Sequence, residues 1–136
     1  MKKTTLFIIA AILTCICFAA PIDYFSAQKV AEFKAYAGNR TISSFETIEN
    51  HGQILFYLAN LEPHGYIIIA PATTIPPIVA YSFDNNFGIT NSANPLFDIL
   101  CADMTIRQNF VPQLDRKILA QHEALWHKYL HGTTYT

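Results

Sequence analysis

Any chemistry this chain carries would rest on its histidines, carboxylates and cysteines, and three of its five histidines fall close together near the C-terminus. His122-Glu123-Ala124-Leu125-Trp126-His127 invites comparison with zinc-protease helices, in which two histidines stand at i and i+4 on one face. Here the spacing is five residues, which turns the second imidazole about 140° from the first on a helix, so the match fails. Glu123, His127 and His131 do share a face at i, i+4 and i+8, but two imidazoles and one carboxylate are a thin metal set, and a solvated helix face is expected instead. Cys101 would need a nearby base and partial access to act as a nucleophile. No histidine follows it within twenty residues, and it falls on an apolar helical stripe, where a buried small hydrophobe is expected. The chain has no Gly-rich phosphate loop, Gly-x-Ser-x-Gly elbow or cofactor fingerprint. No catalytic residue, metal or cofactor is therefore expected.

The elements that position these residues are organised around Ile54 to Phe83. Ile-Leu-Phe-Tyr-Leu-Ala-Asn-Leu, Tyr-Ile-Ile-Ile-Ala and Ile-Val-Ala-Tyr-Ser-Phe are separated by Glu62-Pro63-His64-Gly65 and by Pro71 to Pro77. Short β-branched and aromatic runs divided by turn residues predict a three-stranded antiparallel meander. In the first run Ile54, Phe56 and Leu58 alternate with Leu55, Tyr57, Ala59 and Leu61, so both faces are apolar and the strand belongs inside the sheet. The first connection is a tight hairpin. The second carries proline at both ends and is stiff, a useful property for binding.

With 136 residues the chain is long enough for one core and too short for two. Lys2 and Lys3 precede an apolar run from Leu6 to Ala20, which is the layout of a secretory signal peptide cut after Ala19. The run is shorter than a membrane span and is followed at once by Pro21 and Asp23. Ile12-Leu13-Thr14 is a poor match to the small residues that lipidation of Cys15 would require. Loss of residues 1–19 takes Lys2 and Lys3, leaving 7 basic against 10 acidic residues and a charge of −3. No basic run remains, so neither nucleic acid nor, after cleavage, a membrane is expected as a partner. Cys15 and Cys17 leave too, and Cys101 alone builds no disulfide framework. A secreted or periplasmic protein stabilised by apolar packing is expected.

Ser26 is a plausible cap for a helix carrying Ala27, Val30, Ala31, Phe33 and Ala37, which Gly38 would end in the left-handed conformation. Thr41 to Glu49 reads as an edge strand that turns at His51-Gly52. Pro95 sits in the first turn of a helix whose Phe97, Leu100, Cys101 and Met104 face the sheet. Pro112 stops or kinks that helix, and a last one runs from about Leu114 to His131. There, Leu114, Ile118, Leu125 and Tyr129 form one stripe, and Leu119, Trp126 and Leu130 a second beside it. Either both stripes wrap the domain's own core, or Trp126 and its neighbours are left for a partner or a second copy.

The meander resembles the propeptide of streptopain-type cysteine proteases and the free inhibitors related to it, the Spi family. Phe56-Tyr57-Leu58-Ala59-Asn60, Gly65-Tyr66-Ile67-Ile68-Ile69, and Val79-Ala80-Tyr81-Ser82 with Phe87 and the Pro95–Phe110 helix carry the resemblance. Pro71-Ala72 replaces the usual Gly-Asp, and Ala80 stands where Gly is usual. The resemblance covers roughly residues 22–111. It implies an α+β domain, an antiparallel sheet of about four strands against an N-terminal and one or two C-terminal helices, with the helices on one face. The expected layout is a leader 1–19, an inhibitor-like domain 20–111, and a C-terminal amphipathic helix and tail 112–136.

The implied partner is a streptopain-like, papain-fold cysteine protease. Asn60, Leu61, Glu62, Pro63, His64 and Gly65 would form the loop that enters its cleft. A competing expectation is a non-catalytic envelope module that self-associates through Leu119, Trp126 and Leu130.

Overall fold

In the computed structural model, which describes residues 20–132, the chain turns helical after Asp23. The Asp23 carboxylate accepts the Ser26 backbone N–H at 2.8 Å and the Ser26 hydroxyl at 3.1 Å, satisfying one of the open donors of a first helical turn. Helix α1 runs Tyr24–Ala37. The cap is thus Asp23, and Ser26 is the residue being capped. Gly38 ends α1 as expected, but with an ordinary φ of −96°. The left-handed residue is Asn39, at φ 53°, and Arg40 N–H closes back onto Ala35 O at 2.9 Å. Glycine suits 38 for a different reason: the tip of the Phe83 ring occupies the place of a Cβ there and would have to swing aside for any larger residue.

Strands β1 (Thr41–Asn50), β2 (Gln53–Glu62), β3 (Tyr66–Ile69) and β4 (Ile78–Ser82) form one antiparallel sheet in chain order. The expected edge strand is β1. His51 and Gly52, with φ of 50° and 77°, provide the left-handed pair that a two-residue hairpin requires, and Asn50 pairs with Gln53 across it. β2 is interior and buried without a break from Leu55 to Ala59.

That burial has to come from both sides. Tyr57 stacks on Phe45 with centroids 5.8 Å apart, and Tyr24 at the start of α1 meets Phe45 edge-on at 4.9 Å. Further along, Lys34 of α1 lies 3.7 Å from the Tyr81 ring centroid on the same face. On the opposite face Phe56 meets Phe97 at 6.3 Å, where Phe97 belongs to α2 (Pro95–Phe110). The helices therefore cover both faces, not one as the family resemblance implied. An interior strand apolar on both sides leaves no other way to keep its side chains from water.

Asn94 caps α2, its side-chain oxygen accepting Leu96 N–H at 3.1 Å. After α2 a 3₁₀ turn, Val111–Gln113, includes Pro112, and Asp115 caps α3 (Arg116–His131). α3 packs on α1 through Phe33 and Tyr129, 5.3 Å apart. It also packs on the 71–77 loop, where the Trp126 indole N–H donates to Ile75 O at 2.7 Å and His122 Nδ1 lies 2.6 Å from Thr74 O. The loop is pinned on its other side by Ile22 N–H to Pro71 O at 2.9 Å and Thr73 N–H to Ala20 O at 3.1 Å. The expectation tied this loop to binding; here its hydrogen bonds serve the fold, as a dock for α3. The expected leader, residues 1–19, lies outside the described residues, and among those described no helix is long and apolar enough to cross a membrane.

Candidate functional site

The β2–β3 hairpin is the one place where the six loop residues expected from sequence come together. It begins inside the sheet. Asn60 pairs with Ser44 on one side and Tyr66 on the other; its side-chain amide donates to Ser44 Oγ at 2.9 Å, and its carbonyl accepts from Ser43 Oγ at 3.1 Å. Asn60 is thus fixed within β2, and it is only half-exposed. Leu61 is buried at 4% exposure, and its N–H donates to Gly65 O at 2.9 Å. The tip proper is Glu62, Pro63 and His64, with a cis Glu62–Pro63 bond. Glu62 and Pro63 are exposed and His64 half-buried. The projecting surface is consequently smaller than the span Asn60–Gly65, because alternation in β2 turns Leu61 inward.

Gly65 explains how the tip can fold so tightly. Its φ is 118°, a conformation open to glycine, and a Cβ there would lie 2.6 Å from Ser82 O and 3.2 Å from Phe83 Cα. The β3 end thus lies directly against the end of β4. Gly65 N–H donates to Asn86 Oδ1 at 3.0 Å, which anchors the hairpin's exit to the loop after β4.

Arg40 holds the last residue of the tip. Its Nε donates to His64 O at 3.3 Å and its Nη2 to Phe83 O at 3.0 Å, while Nη1 reaches Gly38 O and Asn39 O, each at 3.3 Å. One planar guanidinium thereby ties together the end of α1, the hairpin tip and the end of β4, the kind of multi-acceptor reach that lysine lacks. Sequence reading missed both Arg40 and Asn86. Asn86 sits in a legible Asp-Asn-Asn turn, but its partner is 21 residues away, and Arg40 and His64 are separated by 24.

Glu62 and His64 are the tip's ionisable side chains. Cys101 is half-buried on the sheet-facing side of α2, and burial, then the neighbouring Asp98, push its thiol pKa up, which holds it protonated. His127 and His131 lie with ring centroids 4.6 Å apart; among the described residues no three His, Cys, Asp or Glu side chains gather into a metal set. What the hairpin offers is a main chain held in one shape from both sides, suited to being bound rather than to reacting.

The second group of expected site residues is placed differently from the open surface considered above. Trp126 is 2% exposed and spends its N–H on Ile75 O. Leu130 packs against the core and Leu119 is half-buried. Of the other stripe, Ile118 and Leu125 face water at 40% exposure each, while Leu114 and Tyr129 are half-buried, Tyr129 against Phe33. The Trp126 stripe is internal because an indole offers a large apolar surface and a donor that the 71–77 loop can accept.

A model of the family described as Spi protease inhibitor matches residues 19–107. The match takes in α1, all of the sheet and most of α2, and ends before α3. No curated protein and no solved structure matches the chain.

Proposed function

Because the chain belongs to the Spi protease inhibitor family, we propose that it inhibits a streptopain-like, papain-fold cysteine protease by seating the Glu62–His64 tip in the active-site cleft. The observation that supports this reading is the double anchoring of the tip, by Arg40 at His64 and by Asn86 at Gly65, within the part of the chain that the family model matches. A loop already held in its bound shape loses little entropy on docking, so a small contact is used efficiently. Inhibition of this kind asks no chemistry of the inhibitor. It requires occupancy of the cleft and a main chain that does not relax into a cleavable geometry.

We place the mature protein outside the cytoplasm, following removal of residues 1–19, where it would meet its protease in trans. The test is titration of a purified streptopain-type protease with residues 20–136. Stoichiometric loss of activity is expected, relieved by Glu62→Lys or His64→Ala with the unfolding midpoint unchanged. Full protease activity and no complex at micromolar concentrations would refute the proposal. Inhibition untouched by either substitution would move the contact away from the hairpin.

A further inference from the structure

The tip alone is too small to hold a protease. Stable protein–protein interfaces bury roughly 800 Å² per partner, about 20–30 residues, whereas the hairpin exposes Glu62, Pro63 and part of His64. The remaining area must come from surface that is continuous with the tip. On the Phe56 side of the sheet there is such a path. Gly65 is bonded to Asn86, and the next residue, Phe87, meets Tyr66 at 5.2 Å. Asn94 then donates to Phe87 O at 2.9 Å and Ile89 O at 3.0 Å while capping α2. Hydrogen bonds at Asn86 and Asn94, with the Tyr66–Phe87 ring contact between them, thus join hairpin, connecting loop and helix.

α2 carries more apolar surface than the fold uses. Phe97, Leu100, Cys101 and Met104 face the sheet. On the opposite side stand Leu96 at 38% exposure, Ile99 at 64%, Ile106 at 55% and Phe110 at 53%, with Ile89 at 55% leading toward them from the loop. Positions 96, 99, 106 and 110 fall on one face at the spacing of a helix that expects a neighbour. Between them the exposed Asp103–Arg107 pair, at 2.9 Å, is the single charged interruption, and it is internally neutral. Exposed apolar clusters of this kind mark contact sites.

We propose that the outer face of α2, centred on Ile99 and Ile106, is a second docking surface for the same protease, gripping the enzyme body while the tip occupies the cleft. This rests on the inhibitor reading above. It assigns affinity to α2 and blockade to the hairpin, since buried apolar anchors supply most of the binding energy at interfaces. The occupant's own surface would be an apolar patch beside the cleft.

The test compares the wild-type domain with Ile99→Glu/Ile106→Glu and, as the milder change, Ile99→Ser. Each is assayed for inhibition of a streptopain-type protease, for thermal unfolding and for sedimentation. Because both side chains are more than half exposed, the unfolding midpoint should hold. The inhibition constant should rise about 100-fold for the double change and about 10-fold for Ile99→Ser, through faster dissociation, while saturating inhibitor still blocks the enzyme fully. Wild-type inhibition that neither substitution weakens would overturn the proposal. So would a wild-type dimer dissolved by these substitutions with inhibition intact, which would assign the face to a second copy. If the wild-type domain itself inhibits no such protease, the inhibitor reading fails first, and this one with it.

Discussion

Replacing Arg40 by methionine removes the tie between the hairpin tip and the rest of the domain while leaving a side chain of similar length. A hydrogen bond from a charged group contributes roughly 1.5–3 kcal/mol at good geometry. Of the four Arg40 bonds, that to Phe83 O at 3.0 Å is well formed and the other three, at 3.3 Å, are long. The guanidinium is only part-buried, so water recovers some of what is lost. Taking about 1.5 kcal/mol for the Phe83 bond and about 0.5 kcal/mol for the His64 bond, and nothing for the two local ones, gives a loss of about 2 kcal/mol. In a domain of this size that lowers Tm by about 8 °C. Freeing the tip also adds an ordering cost of about 1–1.5 kcal/mol on docking, a rise of about tenfold in the inhibition constant.

Thermal unfolding followed by circular dichroism reads the first effect, and titration of a streptopain-type protease the second. Arg40→Lys, which keeps the charge without the planar fork, should fall between wild type and methionine in both. A lowered Tm with an unchanged inhibition constant would falsify the claim that Arg40 positions the tip, leaving it a purely stabilising residue. If neither quantity moves, the bonds to His64 and Phe83 contribute nothing in solution.

Other substitutions separate the remaining claims. Gly65→Ala should cost more than about 3 kcal/mol, since a left-handed φ is joined to an overlap with the Ser82 carbonyl; Gly52→Ala, at φ 77° with nothing within 4 Å, should cost about 1 kcal/mol, and equal losses in urea titrations would contradict this. Trp126→Ala should destabilise by about 4 kcal/mol and Trp126→Phe by about 1–2 kcal/mol through the lost bond to Ile75 O; a fully stable Trp126→Ala protein would mean that α3 is not docked in solution. Bonds from Ser26, first its N–H and then its hydroxyl, hold the Asp23 pKa below the ordinary carboxylate value, so its stabilisation is complete above that ordinary value and is lost as pH falls through the lower, folded-state one. Asp23→Asn should remove this acid-side dependence, as compared in melting curves between pH 2 and pH 6, and identical acid limbs would argue against the cap. With its pKa raised by burial and then by Asp98, Cys101 should react with iodoacetamide at pH 8 more slowly in the native protein than in urea; equal rates would indicate an accessible thiolate.

How much of this was legible beforehand depended on how far apart the interacting residues lie. The meander, the edge position of β1, the His51-Gly52 turn and the Asn94-Pro95 helix start are all written in neighbouring residues. The interior position of β2 could be inferred from apolar residues on both its faces, and that same observation required helices on both faces, against what the resemblance implied. The α1 cap was misplaced by three residues because Asp23 and Ser26 are both good cap formers and only the fold decides between them. Alternation in β2 could have shown that Leu61 turns inward and shortens the tip. Arg40 could not have been found, because its acceptors at His64 and Phe83 are main-chain atoms 24 and 43 residues away and carry no side-chain signature. The direction of Trp126 was undecidable for a similar reason: two apolar stripes lie side by side on α3, and the choice rests on carbonyls of the 71–77 loop.

Those carbonyls bear on how this protein can vary. α3, which lies beyond the family match, is fastened at Trp126 and His122 to the main-chain oxygens of Ile75 and Thr74, and every amino acid provides such an oxygen. The loop's side chains are thus released from any duty of recognising the helix through those two bonds, while Trp126 has no equivalent substitute. The tolerance this implies is lopsided: loop positions outside the buried Ile75 and Pro77 can change side chain provided the path is kept, whereas loss of the helix would uncover the core on which Trp126, Tyr129 and Leu130 pack.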